Sequence, residues 1–320
     1  MKKTIIAGCT LVFTLTASSH AQSLTSGLPT TELFRTNVGE SITGVEVAGT
    51  SLYYLLQRTA ASTQLISRSA LDSYATPTVL FDYGTSDYGS FVKEFGGKLF
   101  FAESTAGTLR TFDLGTSAVS TLATIGFAYD MDFGGGFGWV SANPGFVGNK
   151  IMKLDLSTGV TTTALTSADY SGPVAFSGGA LFYGGAAPGF LAIYRYTLSE
   201  LNTGGLTLDA GHLWSANSGN AYFEAHEGAP GVLARTDFSS ITLQDLSVAG
   251  PATTIATSAD TIGNLASDST GLIATVTDYN NTFSNSADDQ SAVYRVVPEP
   301  ATAGLLAMAV GLLGFRRRAK

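Results

Sequence analysis

The chain has 320 residues, a formal net charge of −8, 44% hydrophobic residues and only 13% charged ones. Soluble proteins average about 25% charged residues, and phosphate binding needs clustered Lys and Arg, so this composition excludes a basic nucleic-acid binder. An aromatic content of 11% excludes intrinsic disorder.

In chain order, the first element is a secretory signal peptide over residues 1–21. Lys2 and Lys3 supply its positive end, residues 5–17 its apolar stretch, and Ser19-His20-Ala21 a small-residue site for cleavage after Ala21. This segment directs the chain to Sec export. Ile6-Ala7-Gly8-Cys9 has a lipobox-like order, but only two strongly apolar residues precede Cys9 and the apolar run continues beyond it. Removal of the signal removes the one cysteine of the chain, so the mature protein has neither disulfide nor thiolate chemistry.

Residues 22–297 carry 11 positive and 24 negative side chains, a net charge of −13. Period-2 alternation recurs through this body between clusters of Gly, Ser, Asn and Asp, the pattern of strands and turns. The one helical candidate is short, around 198–203. A small-residue turn followed by an apolar or aromatic strand recurs six times, at AGTSLYYLL (48–56), FGGKLFFAE (95–103), FGGGFGWVS (133–141), FSGGALFYG (176–184), NSGNAYFEA (217–225) and DSTGLIATV (268–276). Aligning Tyr54, Phe101, Trp139, Tyr183, Phe223 and Ala274 gives steps of 47, 38, 44, 40 and 51 residues.

Inner strands are expected near ITGVEV (42–47), SFVKEF (90–95), AYDMDF (128–133), GPVAF (172–176), HLWSA (212–216) and IGNLAS (262–267). The period lies in the range of propeller repeats, so the sequence predicts an all-β fold, a six-bladed β-propeller. TELFRT (31–36) looks like an outer strand displaced to the N-terminus. It is expected to close the last blade, an arrangement that resembles the velcro closure of β-propellers. A β-sandwich pair or a solenoid are the alternatives.

Chemistry-bearing motifs are weak. His212 and His226 show no metal-ligand spacing, no GxSxG elbow is present, and GGGFG (134–138) is a turn rather than a phosphate loop. Asp130 and Asp132 on one inner strand, with Glu94 aligned to Asp132 one repeat earlier, form a candidate acidic ring at the channel. Calcium is the cation such a ring would take. The loop 277–289 places Asp278, Asn280, Thr282 and Asp289 at EF-hand-like spacing. Phe283 stands where that loop needs Gly, which makes it a polar loop. No catalytic residue, no metal ligand and no cofactor is assigned.

The last 23 residues are the most specific element: Pro298-Glu299-Pro300, the uncharged apolar block 301–315, then Arg316, Arg317 and Arg318. Fifteen apolar residues are short for a full span, which needs about 17–25. The arginines hold the C-terminus on the cytoplasmic side. This order and spacing over 297–320 resembles the PEP-CTERM sorting signal of Gram-negative bacteria. The resemblance implies recognition by an exosortase, transient anchoring in the inner membrane, removal of the tail, and delivery to the cell surface or extracellular matrix in an exopolysaccharide or biofilm setting. The expected organisation is therefore signal peptide 1–21, propeller body 22–297 and sorting signal 298–320. Two functions follow from it. One is a non-catalytic binding or structural module that contacts exopolysaccharide or a surface protein. The other is an extracellular propeller hydrolase or lactonase with a metal at the channel mouth.

Overall fold

The computed structural model describes residues 23–58, 63–69, 77–144, 148–167, 172–184, 192–216, 221–225, 229, 231–247, 252–279 and 288–297. Ala21, Pro298, Glu299, Pro300, Arg316, Arg317, Arg318, His226, Asn280, Thr282 and Phe283 lie outside the described residues.

The N-terminal segment forms β1 (Leu24–Ser26) and β2 (Thr30–Arg35). The first repeat follows as β3 (Glu40–Ala48), β4 (Ser51–Arg58), β5 (Gln64–Ser69) and β6 (Thr78–Asp82). The second is β7 (Val92–Phe95), β8 (Lys98–Glu103), β9 (Thr108–Asp113) and β10 (Val119–Thr124). The third is β11 (Phe127–Gly134), β12 (Phe137–Asn143), β13 (Asn149–Asp155) and β14 (Thr161–Ser167). Then come β15 (Val174–Ser177), β16 (Ala180–Gly184), β17 (Ile193–Thr197), the helix α1 (Leu198–Thr203), β18 (Leu206–Thr207) and β19 (Leu213–Ser215). The chain continues with β20 (Tyr222–Ala225), β21 (Val232–Thr236), β22 (Ser240–Asp245) and β23 (Thr253–Ser258). It ends on β24 (Thr261–Asp268), β25 (Gly271–Asp278) and β26 (Gln290–Val296).

The inner two strands of each repeat pair antiparallel, and in the first four repeats a two-residue turn containing Gly links them, at 49–50, 96–97, 135–136 and 178–179. The fold is all-β and propeller-like. The innermost strands β3, β7, β11, β15, β20 and β24 pack side by side in that order, and β24 packs back on β3. They surround a channel. The buried apolar residues form clusters that each belong to two consecutive repeats. Phe100 and Leu109 pack with Met131 and Val140, and Trp139 and Leu165 with Leu181 and Tyr183. Second strands are covered on both faces, which is why LYYLL and LIATV read as unbroken apolar runs. Outer strands such as β10 are mostly exposed.

The expected six separate blades are not what the hydrogen bonds define. Four separate sheets of four or five strands are present, and the remaining strands form one eight-stranded sheet. In that sheet a single parallel bridge, Gln290 to Glu40, joins β26 to β3. The amides of Gly39 and Glu40 reinforce it by donating to the Asp289 carbonyl at 2.7 and 3.2 Å. The reason is the short connection from β2 into β3, which holds β3 against the edge that β2 leaves open.

The N-terminal segment fastens two sheets. β2 pairs antiparallel with β26, and β1 pairs with β23 of the preceding sheet. The pairing of β1 has no counterpart in the repeat pattern, because a three-residue strand shows no period. Phe34 on β2 is buried and lies 5.2 Å from the Tyr54 ring.

The fifth repeat is phased differently from the expectation. HLWSA is not an inner strand: β19 pairs with β17 as the outer strand of the fourth sheet. The inner strand is β20, within NAYFEA, and VLART and ITLQD follow as second and third strands. The cause is α1 and the segment after it. Thr197 caps α1 in a capping box with Glu200, and β18 then leaves its own sheet to pair parallel with β14. The outer strand of the fourth sheet comes late, so each strand of the fifth repeat shifts by one place, and the sixth repeat resumes the expected phase with β24 as its inner strand.

Asp residues that end third strands are turn caps. Asp113 Oδ1 accepts from the amides of Gly115 and Thr116, and Asp155 Oδ1 from those of Ser157 and Thr158. Their turns end in equivalent left-handed residues, Ser117 (φ 60°) and Gly159 (φ 72°). No described helix is long and apolar enough to cross a membrane.

Candidate functional site

The inner strands β3, β7 and β11 each end at a tight turn, after Ala48, Phe95 and Gly134. Two residues before each end stand Glu46, Lys93 and Asp132. Equivalent positions on neighbouring strands turn toward the same axis, so these three side chains meet inside the channel. β11 adds Asp130 one alternation earlier, and β20 adds Glu224 from the far side.

Lys93 Nζ donates to Glu224 Oε2 at 2.7 Å, and both side chains are nearly buried. Glu46 accepts from the amides of Val47 (2.8 Å) and Glu94 (3.3 Å). Asp130 accepts from the amides of Met131 (2.8 Å) and Val174 (3.0 Å). Asp132 accepts from the amides of Phe133 and Phe176. Each carboxylate thus bridges its own strand to the inner strand of the next repeat. Ser267 Oγ on β24 donates to the Ala225 carbonyl at 3.1 Å and continues the pattern to β20.

Burial dominates the protonation of this cluster. Desolvation raises Glu46 to about 8, with the Glu224 charge adding to the rise and Lys93 opposing it. Desolvation likewise raises Asp132 to about 7 and Asp130 to about 6, again against Lys93. For Lys93, burial pulls the ammonium down, but the fields of Glu224, Asp130, Glu46 and Asp132 outweigh it, and the net shift is well upward. Lys93 therefore stays charged, while the carboxylates share protons around neutral pH.

The expected acidic ring is corrected on two counts. Asp130 and Asp132 do face the channel, but Glu94 does not: its carboxylate accepts from the Gly97 amide in the hairpin turn. The slip comes from three consecutive glycines. Gly135 and Gly136 (φ 63° and 84°) make the turn after β11, whereas Gly134 is still strand. Aligning Gly134-Gly135 with Gly96-Gly97 displaces the third repeat by one residue, which exchanges the two faces of a strand. Glu46, Lys93 and Glu224 were missed in the sequence, Glu224 because of the phase shift of the fifth repeat. Lys93 puts an ammonium at the centre of the carboxylates, the position a calcium ion would take. Among the described residues no group of three or more His, Cys, Asp or Glu converges as metal ligands.

At this level the channel narrows to a void of about 10 Å³ beside Lys93 and Asp130, no more than about one water needs. Toward the start of the inner strands it widens into a cavity of about 310 Å³, lined among others by Thr43, Gln57, Tyr222, Phe238 and Asn264.

The other sequence candidates are structural. His212 stacks on Tyr196 at 4.2 Å, with Nδ1 2.8 Å from Asp209 Oδ2 and Nε2 3.4 Å from Glu200 Oε1. That arrangement docks the segment after α1. Asp278 ends β25 opposite Gln290, and Asp289 is buried with its carbonyl at the β26–β3 junction.

Comparison with known proteins bears on the C-terminus and on the fold. No curated protein matches the sequence. Among solved structures, the chain is similar to one in the crystal structure of a nidogen/laminin complex, at 10% identity over 71% of this chain and 85% of that one, with a TM-score of 0.55. It is also similar to a structural genomics protein of unknown function from Bacteroides thetaiotaomicron, at 9% identity over 86% of this chain and 76% of that one, with a TM-score of 0.56. At these identities the likeness concerns the fold alone. The model of the PEP-CTERM protein-sorting motif matches residues 296–319. The chain therefore carries a PEP-CTERM sorting signal behind a propeller-like all-β body, and that signal marks an exported protein targeted to exosortase.

Proposed function

We propose that the protein is a cell-surface or extracellular-matrix component that acts, after exosortase processing, as a non-catalytic binding or structural module associated with exopolysaccharide and biofilm. The sorting motif at 296–319 is the observation that carries this reading. Residues 1–21 are the signal peptide, cleaved after Ala21 on Sec export. Residues 22–297 are the delivered body and 298–320 the removable signal. Pro298 and Pro300 hold Glu299 in an extended segment suited to a processing enzyme. The apolar block anchors the precursor transiently in the inner membrane, with Arg316, Arg317 and Arg318 on the cytoplasmic side.

The channel centre supports a binding module over a metal-dependent hydrolase or lactonase. The Lys93 ammonium would repel a divalent cation from the channel centre, and the paired Lys93 and Glu224 close the channel there. The last strand runs directly into the motif: Val296 is the final residue of β26, and the Val297 amide donates to the Pro29 carbonyl at 2.9 Å.

The test is replacement of Pro298, Glu299 and Pro300 by alanine in the native host. The variant is expected to stay in the membrane fraction at the mass of a chain that keeps its tail. The wild type is expected at the surface or in the medium, with a mass that locates both cleavages. A variant trimmed and released like the wild type would refute the reading.

A further inference from the structure

The 310 Å³ cavity at the channel mouth has features that the fold by itself does not require. Among the described residues its lining contains no charged side chain. Asn264 lines it, is 7% exposed, and its side chain makes no hydrogen bond among the described residues. The side chains of Gln57 and Thr261 and the Tyr222 hydroxyl line the same space, also without a hydrogen-bond partner there. These polar groups converge on one solvent-reached space without a protein partner among the described residues, so they are free to hydrogen-bond a molecule bound there.

The backbone is shaped for this space. β3 bulges at Thr43, and β24 bulges at Gly263 and Asn264. These bulges break the strand alternation and turn Thr43 and Asn264 to the mouth. Phe238, on the turn between β21 and β22, has φ 74°, a left-handed conformation that disfavours a bulky side chain. It is held there by its amide, which donates to Thr236 Oγ1 at 2.9 Å, and by its carbonyl, which accepts from the Ile262 amide at 2.7 Å. Phe238 is 41% exposed and lines the cavity, with its ring edge-on to Tyr222 at 6.3 Å. Tyr222 in turn stacks on Tyr129. A glycine would fit the turn without strain, so the ring can be removed there without disturbing the turn.

An exposed aromatic face beside uncharged amide and hydroxyl groups is the chemistry of a sugar ring, which has an apolar face and a rim of hydroxyls. The volume lies at the small end of ligand pockets, suited to one ring. The absence of cations among the described lining residues, in a body of net charge −13, disfavours uronates and other acidic sugars. We propose that this cavity binds one neutral sugar unit of a polysaccharide, stacked on Phe238 and hydrogen-bonded to Asn264, Gln57 and the Tyr222 hydroxyl. The proposal rests on the binding-module reading and names its ligand class and site.

The experiment titrates the detergent-solubilised full-length protein with two probes, the neutral and the acidic fraction of the host's extracellular polysaccharide. Phe238→Gly and Asn264→Ala are compared with the wild type. Phe238→Gly relaxes the left-handed turn, so its Tm should be unchanged or higher, which separates loss of binding from loss of fold. The neutral fraction is expected to bind the wild type, and both variants to bind about tenfold or more weakly, a loss of at least about 1.4 kcal/mol. Neutral-fraction binding that is equal in all three proteins overturns the cavity assignment and leaves the module reading intact. Preference for the acidic fraction overturns the ligand class. No binding of either fraction by the wild type overturns both.

Discussion

The Lys93 ammonium and the Glu224 carboxylate meet at 2.7 Å although 131 residues separate them in the chain. Their strands, β7 and β20, are three places apart around the ring of inner strands. The ion pair therefore spans the channel and ties opposite sides of the propeller-like body together. Its surroundings make it a buried pair, with Glu46, Asp130 and Asp132 close enough to shift and be shifted.

Removing one partner leaves a charge stranded. Lys93→Met is expected to cost about 3–5 kcal/mol, the usual range for a broken buried pair. Lys93→Met combined with Glu224→Gln should cost clearly less than the single substitution, because the uncompensated charge is gone. Urea denaturation of the three proteins measures both values. A single variant as stable as the wild type would show that the pair is not desolvated.

Stability should fall as pH rises from about 4 to about 8. The folded state keeps a proton on Glu46 up to about 8, on Asp132 to about 7 and on Asp130 to about 6, whereas the unfolded chain releases them near 4.5 and 3.8. Between those values the folded state binds more protons, so its advantage is full below the unfolded pKa and is lost as pH climbs through the folded ones. Glu46→Gln should flatten the upper part of the curve and raise Tm at pH 8. Thermal melts at pH 5, 6.5 and 8 give the sign directly.

Phe34 anchors the N-terminal strand on the last sheet. Phe34→Ala removes a buried ring that packs on Tyr54, and a cost of about 3–5 kcal/mol is expected. Hydrogen exchange should show loss of protection first in β2 and β26, since β26 is the strand that β2 pairs with among the described residues. Uniform loss across all sheets would mean that closure and folding are one event.

The equivalent turns after β9 and β13 make opposite predictions. Ser117 sits in a left-handed conformation, so Ser117→Gly should stabilise by about 0.5–1 kcal/mol. Gly159 shares the conformation, and a Cβ there would lie 1.9 Å from the Leu122 carbonyl oxygen. Gly159→Ala should therefore destabilise by about 2 kcal/mol or more. Chemical denaturation of the two variants checks the pair.

Much of the scaffold was legible because strand identity is local. Turn glycines followed by apolar runs located β4, β8, β12, β16 and β25, and the short helical candidate around 198–203 is α1. Tyr54, Phe101, Trp139 and Tyr183 are buried between repeats, as their recurrence suggested. TELFRT was recognisable as a strand without a repeat, and β2 indeed pairs with β26. The fifth repeat was misread because α1 and β18 interrupt the count, and a repeat pattern carries no mark for an insertion.

The sequence by itself determined the sorting signal, the all-β character and the turns, since each depends on neighbours within a few residues. The tertiary structure alone decided which inner-strand side chains face the axis and what stands opposite them. A strand period of two divides residues between faces, but one misplaced turn glycine exchanges the faces, as Glu94 and Lys93 show. The meeting of Lys93 with Glu224, and of Phe238 with Asn264 at one cavity, depends on how the ring closes. That closure brings together residues whose separation in the chain conceals them.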